Sequence, residues 1–196
     1  MAIGKYFATA IYDGELGNDA LLDALARSIR SFARDDHAGR RWSREHLYPG
    51  YTSYASLDDL VRRDPAFADL ARHLNRHAAA FARALGWEVR PKLDSLWVNL
   101  LKSGGHHSGH IHPHAILSGT LYVDVPNGSG EIRFEDPRLP MMMAAPVRAG
   151  GHDGNDRFVS ITPRPGVILL WESWLRHEVR PGRHKGERLS ISFNYR

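Results

Sequence analysis

Residues 87–101, WEVRPKLDSLWVNLL, decide the fold, because here the spacing of apolar side chains changes from about 3.6 residues to 2. Ahead of this stretch the pattern is helical. Leu21, Leu22, Leu25, Ile29 and Phe32 form one stripe on a helix that Asn18 or Asp19 can cap. A second helical pattern begins near Ser56 and restarts at Asp64-Pro65, with Phe67, Leu70, Leu74, Phe81 and Leu85 as its stripe and Gly86 as its C-cap. Downstream, residues 87–101, 109–125, 130–135, 157–161, 166–171, 174–180 and 187–195 read as strands divided by Gly, Pro and Asn turns. Asn127-Gly128 is the strongest hairpin signal, joining SGTLYVDV to GEIRFED. Residues 5–12, KYFATAIY, read as an opening strand that the Asp13-Gly14 turn ends. Residues 34–55 and 136–156 are aperiodic and read as long loops. The expected class is mainly β with an N-terminal helical layer, a helix-buttressed jelly roll. The expected organisation is one domain over residues 1–196, with a helical buttress and loop in 1–86 and the β core in 87–196.

Length and composition bound the chemistry. The 196 residues are 42% hydrophobic, enough for one sizeable core. Lys and Arg number 26 against 22 Asp and Glu, a net charge of +4, but the basic residues are scattered singly. No nucleic-acid partner is expected from that pattern, whereas an anionic small molecule would be favoured. With no cysteine, a metal must be held by imidazole or carboxylate. The opening MAIGKYFATAIYDGEL has no long apolar run, and no stretch approaches the roughly 18 apolar residues of a membrane span. A cytoplasmic protein that engages no membrane is expected.

The chemistry-bearing residues cluster in HSGHIHPHAILSGTLYV, LLWESWLRHEV and ERLSISFNYR. His110 and His112, two apart on an extended strand, project to one side, and a third imidazole from a distant strand, His177, can complete one face of a metal's shell. Arg188 and Ser190 also share a strand face, and a guanidinium fork with a hydroxyl suits a carboxylate held near that metal. The spacing from His177 to Arg188 fits a strand, a turn at Pro181-Gly182 and a return strand. Three imidazoles alone do not separate iron from zinc, so a zinc or other metal lyase or hydrolase stays open, as does a cupin-like metal-binding protein without oxygenase activity. Six histidines fall between residues 106 and 152, and such a cluster can also be a surface loop that takes up stray ions. His114 competes with the H-x-H pair, but Pro113 predicts a kink before it. His106 and His107 are expected at the surface or behind the ligands. Asp94, Asp124 and Asp136 lack strand spacing from His110. His73 and His77, at i and i+4 beside Arg72 and Arg76, read as a solvated helix edge.

Trp97-Val98-Asn99, His110-Ile111-His112-Pro113, Ser118-Gly119-Thr120-Leu121-Tyr122, Gly166, Ser173-Trp174-Leu175-Arg176-His177 and Glu187 to Asn194, ERLSISFN, occur in an order that resembles the 2-oxoglutarate- and iron(II)-dependent oxygenases, most closely a bacterial and phage branch. The resemblance covers residues 97–194. It implies a double-stranded β-helix of the cupin-like jelly-roll kind and a dioxygenase that couples decarboxylation of 2-oxoglutarate to oxidation of an unidentified substrate by O2, with hydroxylation as the expected outcome. It implies Fe(II) at His110, His112 and His177, and Arg188 and Ser190 gripping the distal carboxylate of 2-oxoglutarate. Asn99 and Tyr122 are further candidates for binding the cosubstrate. The wider superfamily carries Asp or Glu two residues after the first histidine, where this chain has His112. The substitution leaves the site one unit more positive, which favours dianionic 2-oxoglutarate and alters the metal's potential.

Trp97, Trp171 and Trp174 are expected to fill the core. Met141, Met142 and Met143 read as core filling, with a substrate mouth or a homodimer contact as alternatives. Asn194 is expected to complete hydrogen bonding of the last strand. The two long loops are expected as lids over the site, with Trp42, Tyr51, Tyr54 and the methionines setting substrate choice.

Overall fold

A computed structural model describes residues 2, 6–142 and 156–196. Met143, His152, the start of the expected first strand at residue 5, and most of the lid expected at 136–156 lie outside the described residues. Among the described residues, ten strands form two antiparallel sheets: β1 (Ile11–Glu15), β2 (Gly50–Thr52), β3 (Leu93–Leu101), β4 (His107–His110), β5 (Leu117–Asp124), β6 (Ile132–Glu135), β7 (Phe158–Ile161), β8 (Val167–Glu172), β9 (His177–Val179) and β10 (Arg188–Tyr195). The major sheet runs β1-β8-β5-β10-β3-β2 and the minor sheet β4-β9-β6-β7. Helices α1 (Asp19–Asp35), α2 (His37–Glu45), α3 (Leu60–Arg63) and α4 (Pro65–Ala84) complete the fold.

Alternation along β10 shows how the layers stack. Leu189, Ile191, Phe193 and Tyr195 join a buried cluster with Leu25 and Ile29 of α1 and Phe67, Leu70 and Leu74 of α4. Arg188, Ser190, Ser192 and Asn194 point to the opposite face and line a cavity. A second apolar cluster, including Tyr122, Phe134, Leu169 and Trp171, lies on the minor-sheet side. Both long helices follow their sequence signals. The Asn18 side chain accepts from Leu21 N–H at the start of α1, Asp64 accepts from Ala66 N–H at the start of α4, and Gly86 takes a positive φ after α4.

Several boundaries differ from expectation. Residues 34–55 are not a loop: they hold α2 and edge strand β2. Helix α2 buries only Gly39 and Ser43, so it has no apolar stripe for periodicity to reveal. The first strand runs through Asp13-Gly14 instead of ending there. A Cβ at Gly14 would run into the Tyr12 and His77 side chains, so this glycine serves close packing. The expected 109–125 strand is broken: β4 stops at His110, His114 takes φ +72°, and β5 starts at Leu117. The 87–101 strand begins only at Leu93, after Pro91. Asn127-Gly128 does not close a hairpin, because β5 is already flanked by β10 and β8, and the chain crosses there to β6 in the other sheet. The expected return at Pro181-Gly182 is likewise a crossing, from β9 in the minor sheet to β10 in the major one. Residues before 86 supply β1 and β2, the two edges of the major sheet, as well as the helices.

Candidate active site

Antiparallel register assembles the site. His110 on β4 is paired directly with His177 on β9, and Phe134 on β6 flanks His177 from the other side. His112 lies two residues past the end of β4, where its backbone N–H donates to Ser173 O at 3.1 Å. Candidate ligand nitrogens of His110, His112 and His177 all lie within 4.8 Å of one another. His114, expected as their competitor, is outside this group because the kink at Pro113 turns it to a left-handed backbone.

The hydrogen bonds fix which nitrogen each ring offers. His110 Nδ1 lies 2.6 Å from Ser108 O, His177 Nδ1 2.9 Å from Leu175 O, and His112 Nδ1 2.7 Å from Asn194 Oδ1. Every one of these oxygens can only accept, so each Nδ1 carries the hydrogen and each Nε2 lone pair is free for a metal. Asn194 is itself held by its neighbours: Ser118 donates to the same Oδ1 at 2.9 Å, and the Asn194 amide donates to Ser95 at 3.2 Å. Burial pushes His177 down to about 3 and also lowers His112, which keeps these imidazoles neutral. Trp171, buried as expected, packs edge-on against His177 with centroids 4.6 Å apart.

A row of side chains crosses the major sheet beside the histidines, because Tyr122, Ser190, Asn99 and Thr52 are lateral neighbours on β5, β10, β3 and β2. Arg188 stands one step along β10, only 2% exposed. Its Nη1 donates to Ser190 Oγ at 3.5 Å, its guanidinium lies 5.1 Å from the Tyr122 ring centroid, and its Nε is buried with no hydrogen-bond partner among the described residues. No carboxylate among the described residues pairs with it. The Tyr122 hydroxyl is also buried, with only the Arg188 guanidinium beside it among the described residues, and burial pushes its pKa up to about 12 against the opposing Arg188 charge. A buried cation and a buried hydroxyl left open on one cavity wall call for an anionic ligand.

These groups line one cavity of about 450 Å³. It contains all seven residues singled out from the sequence: His110, His112, His177, Arg188, Ser190, Asn99 and Tyr122. Asn99 is largely engaged, accepting from Thr52 Oγ1 at 2.9 Å and Tyr48 Oη at 3.1 Å and donating to Ser192 at 3.0 Å. Tyr48 also meets His107 Nε2 at 2.8 Å. Sequence reading missed Tyr48 and the role of Asn194, and placed His107 at the surface or behind the ligands. It lines the cavity, and burial and the Arg188 charge depress its pKa to about 3. Alternation along the last strand, which puts Asn194 in phase with Arg188 and Ser190, is the signal that could have found it. The alternative carboxylates are committed elsewhere: Asp94 to Arg196, Asp124 to Arg30 and Asp136 to Arg138.

Other expectations need correction. Trp97 is half-buried and lines the cavity, Trp174 is exposed, and Met141 is 73% exposed, so none of these fills the core. Tyr51 is buried in the helix-side cluster with its hydroxyl donating to Asp36, so it does not face the cavity as Trp42 and Tyr54 do. His77 meets the Tyr12 hydroxyl and His73 meets Arg76.

The donor set fits the pair of groups that the resemblance implies: three imidazoles whose Nε2 atoms face one another for a divalent metal, and a guanidinium with no carboxylate partner among the described residues for a carboxylate. Comparisons with known proteins agree. No curated protein matches the chain by sequence. Among solved structures, a prolyl-4-hydroxylase from Pseudomonas putida superposes with TM-score 0.66 at 18% identity, covering 96% of this chain and 94% of its own. The non-heme alpha ketoglutarate dependent epimerase SnoN from nogalamycin biosynthesis gives 0.66 at 17%, covering 97% and 77%. HygX from Streptomyces hygroscopicus, with nickel and 2-oxoglutarate bound, gives 0.60 at 14%, covering 97% and 83%. At these identities the likeness establishes the fold, a double-stranded β-helix. The family model described as "Putative 2OG-Fe(II) oxygenase" matches residues 95–194, just over half of the chain. The protein whose cavity gathers these histidines and this arginine belongs to the 2OG-Fe(II) oxygenase family, as an enzyme that uses iron(II) and 2-oxoglutarate.

Proposed function

We propose that the Nε2 atoms of His110, His112 and His177 hold the iron, and that Arg188, Ser190 and Tyr122 receive the distal carboxylate of 2-oxoglutarate. One observation carries the reading: Arg188 is 2% exposed, lacks a carboxylate partner among the described residues, and opens into the same cavity as the three imidazoles. A buried unpaired guanidinium costs several kcal/mol of desolvation, roughly, unless a ligand neutralises it. A zinc hydrase would have no use for that cost.

The protein groups bind, orient and exclude water. The carbonyls of Ser108 and Leu175 and the Asn194 amide oxygen set the three rings. Tyr122 Oη and Arg188 Nε have free hydrogens for carboxylate oxygens. Asn99, fixed by Tyr48, Thr52 and Ser192, keeps one amide hydrogen for the cosubstrate. When bound together, iron(II), 2-oxoglutarate and O2 supply an oxidant for a C–H bond, with succinate and CO2 as coproducts. Insertion of one oxygen atom into such a bond, hydroxylation, is the proposed reaction.

None of the described helices is long and apolar enough to cross a membrane. A cytoplasmic setting, where reduced iron and 2-oxoglutarate are both supplied, completes the reading. The test is coupled turnover: iron-loaded protein should consume O2 and release succinate from 2-oxoglutarate, and the chelated protein should not. Succinate-free O2 consumption, or equal activity with zinc, would reject the assignment.

A further inference from the structure

We propose that the outer part of the cavity is a binding site for a flat, uncharged ring on the primary substrate, with Trp42, Tyr54 and Trp97 as its platform. The proposal deepens the oxygenase reading and rests on it for the reaction, though not for the binding. The three rings come from α2, from the segment after β2, and from β3. They form a continuous run toward the metal-ligand candidates. Trp42 and Tyr54 have centroids 6.2 Å apart, Tyr54 meets Trp97 edge-on at 5.3 Å, and Trp97 lies 6.0 Å from the His112 ring.

None of the three belongs to either apolar cluster, and all line the cavity. Tyr54 is 63% exposed. Large aromatic area left open beside a reactive centre is surface that a ligand can bury. The platform is also held in place. His46 stacks on Trp42 at 4.1 Å and 14°, and the edge contact from Tyr54 fixes Trp97. Little ordering is then needed on binding, which favours a rigid, planar partner.

Charge narrows the class. Aromatic faces can also hold a cation. Here the described lining contains no carboxylate to neutralise one, and Arg188 already makes the cavity positive. With a divalent metal and dianionic 2-oxoglutarate both bound, the two carboxylates offset Arg188 and part of the metal's charge, and a net positive charge remains to repel a cation. A ring bearing an ammonium is therefore disfavoured against its neutral isostere.

Benzyl alcohol and benzylamine differ little in shape and carry this difference in charge. Each would be titrated, by ligand-observed NMR, into the full chain loaded with zinc and 2-oxoglutarate, where turnover does not interfere. Benzyl alcohol should bind saturably, and benzylamine at least about fivefold more weakly. Trp42→Ala and Tyr54→Ala should each weaken benzyl alcohol by about fivefold, with Trp42→Phe and Tyr54→Phe within about twofold of the parent. Circular dichroism checks the fold of each variant, and the alcohol-amine comparison on the unmodified protein decides the charge argument without any variant. No saturable binding of benzyl alcohol, equal or tighter binding of benzylamine, or unchanged binding in the folded alanine variants would overturn the proposal. Failure of 2-oxoglutarate itself to bind in the same samples would count against the oxygenase reading, and the ring titration would still be read.

Discussion

Asn194 Oδ1 sits 2.7 Å from His112 Nδ1, so the last strand of the major sheet sets the orientation of a histidine that lies beyond the end of β4 in the minor sheet. The contact determines both which nitrogen of His112 is free and where it points.

Asn194→Ala should therefore weaken iron binding by about 10- to 100-fold without removing a ligand. Asn194→Asp, which still accepts from Nδ1, should hold iron at least as well as the parent. Competition with a chromophoric chelator measures both.

His110→Ala and His112→Ala should each lose most bound iron, while His114→Ala keeps it, because His114 sits past the kink in a left-handed backbone. Elemental analysis of purified, folded variants checks this. Full retention in the first two, with loss in the third, would reverse the ligand assignment.

Metal-free protein should lose stability in acid. Burial and the Arg188 charge hold His107 at about 3 in the folded state, below its unfolded value of roughly 6.5. The unfolded chain then binds the extra proton between these limits. Stability from this group is complete above about pH 6.5 and falls as pH drops toward 3. His177, depressed by burial, acts in the same direction. Urea unfolding of chelated protein at pH 7.5 and pH 5 should show the loss, and His107→Gln should make it shallower. An unchanged slope in His107→Gln would mean that His107 does not stay neutral.

Much of the site was legible because β structure converts sequence spacing into geometry. Arg188 and Ser190 share a strand face as their spacing requires, and His177 lies on a separate strand that register brings beside His110. The same logic failed where the chain leaves a sheet. Asn127-Gly128 and Pro181-Gly182 have turn chemistry, but local sequence does not say whether a turn closes a hairpin or carries the chain to the opposite sheet. Helix α2 was hidden because the residues it buries are Gly39 and Ser43, neither of which carries an apolar side chain. Tyr48 and its contacts with Asn99 and His107 depend on β2 adding to the edge of the major sheet, a pairing too short to show as alternation.

The most direct test of the account is the affinity of 2-oxoglutarate, measured anaerobically with and without iron, for the parent protein and for Arg188→Lys. Iron should be required for tight binding, and Arg188→Lys should weaken it by about tenfold or more even though the charge is kept, because an ammonium cannot reproduce the guanidinium fork. Equal affinity in both proteins, or binding indifferent to iron, would mean that the anion sits elsewhere and would contradict the joint site formed by His110, His112, His177 and Arg188.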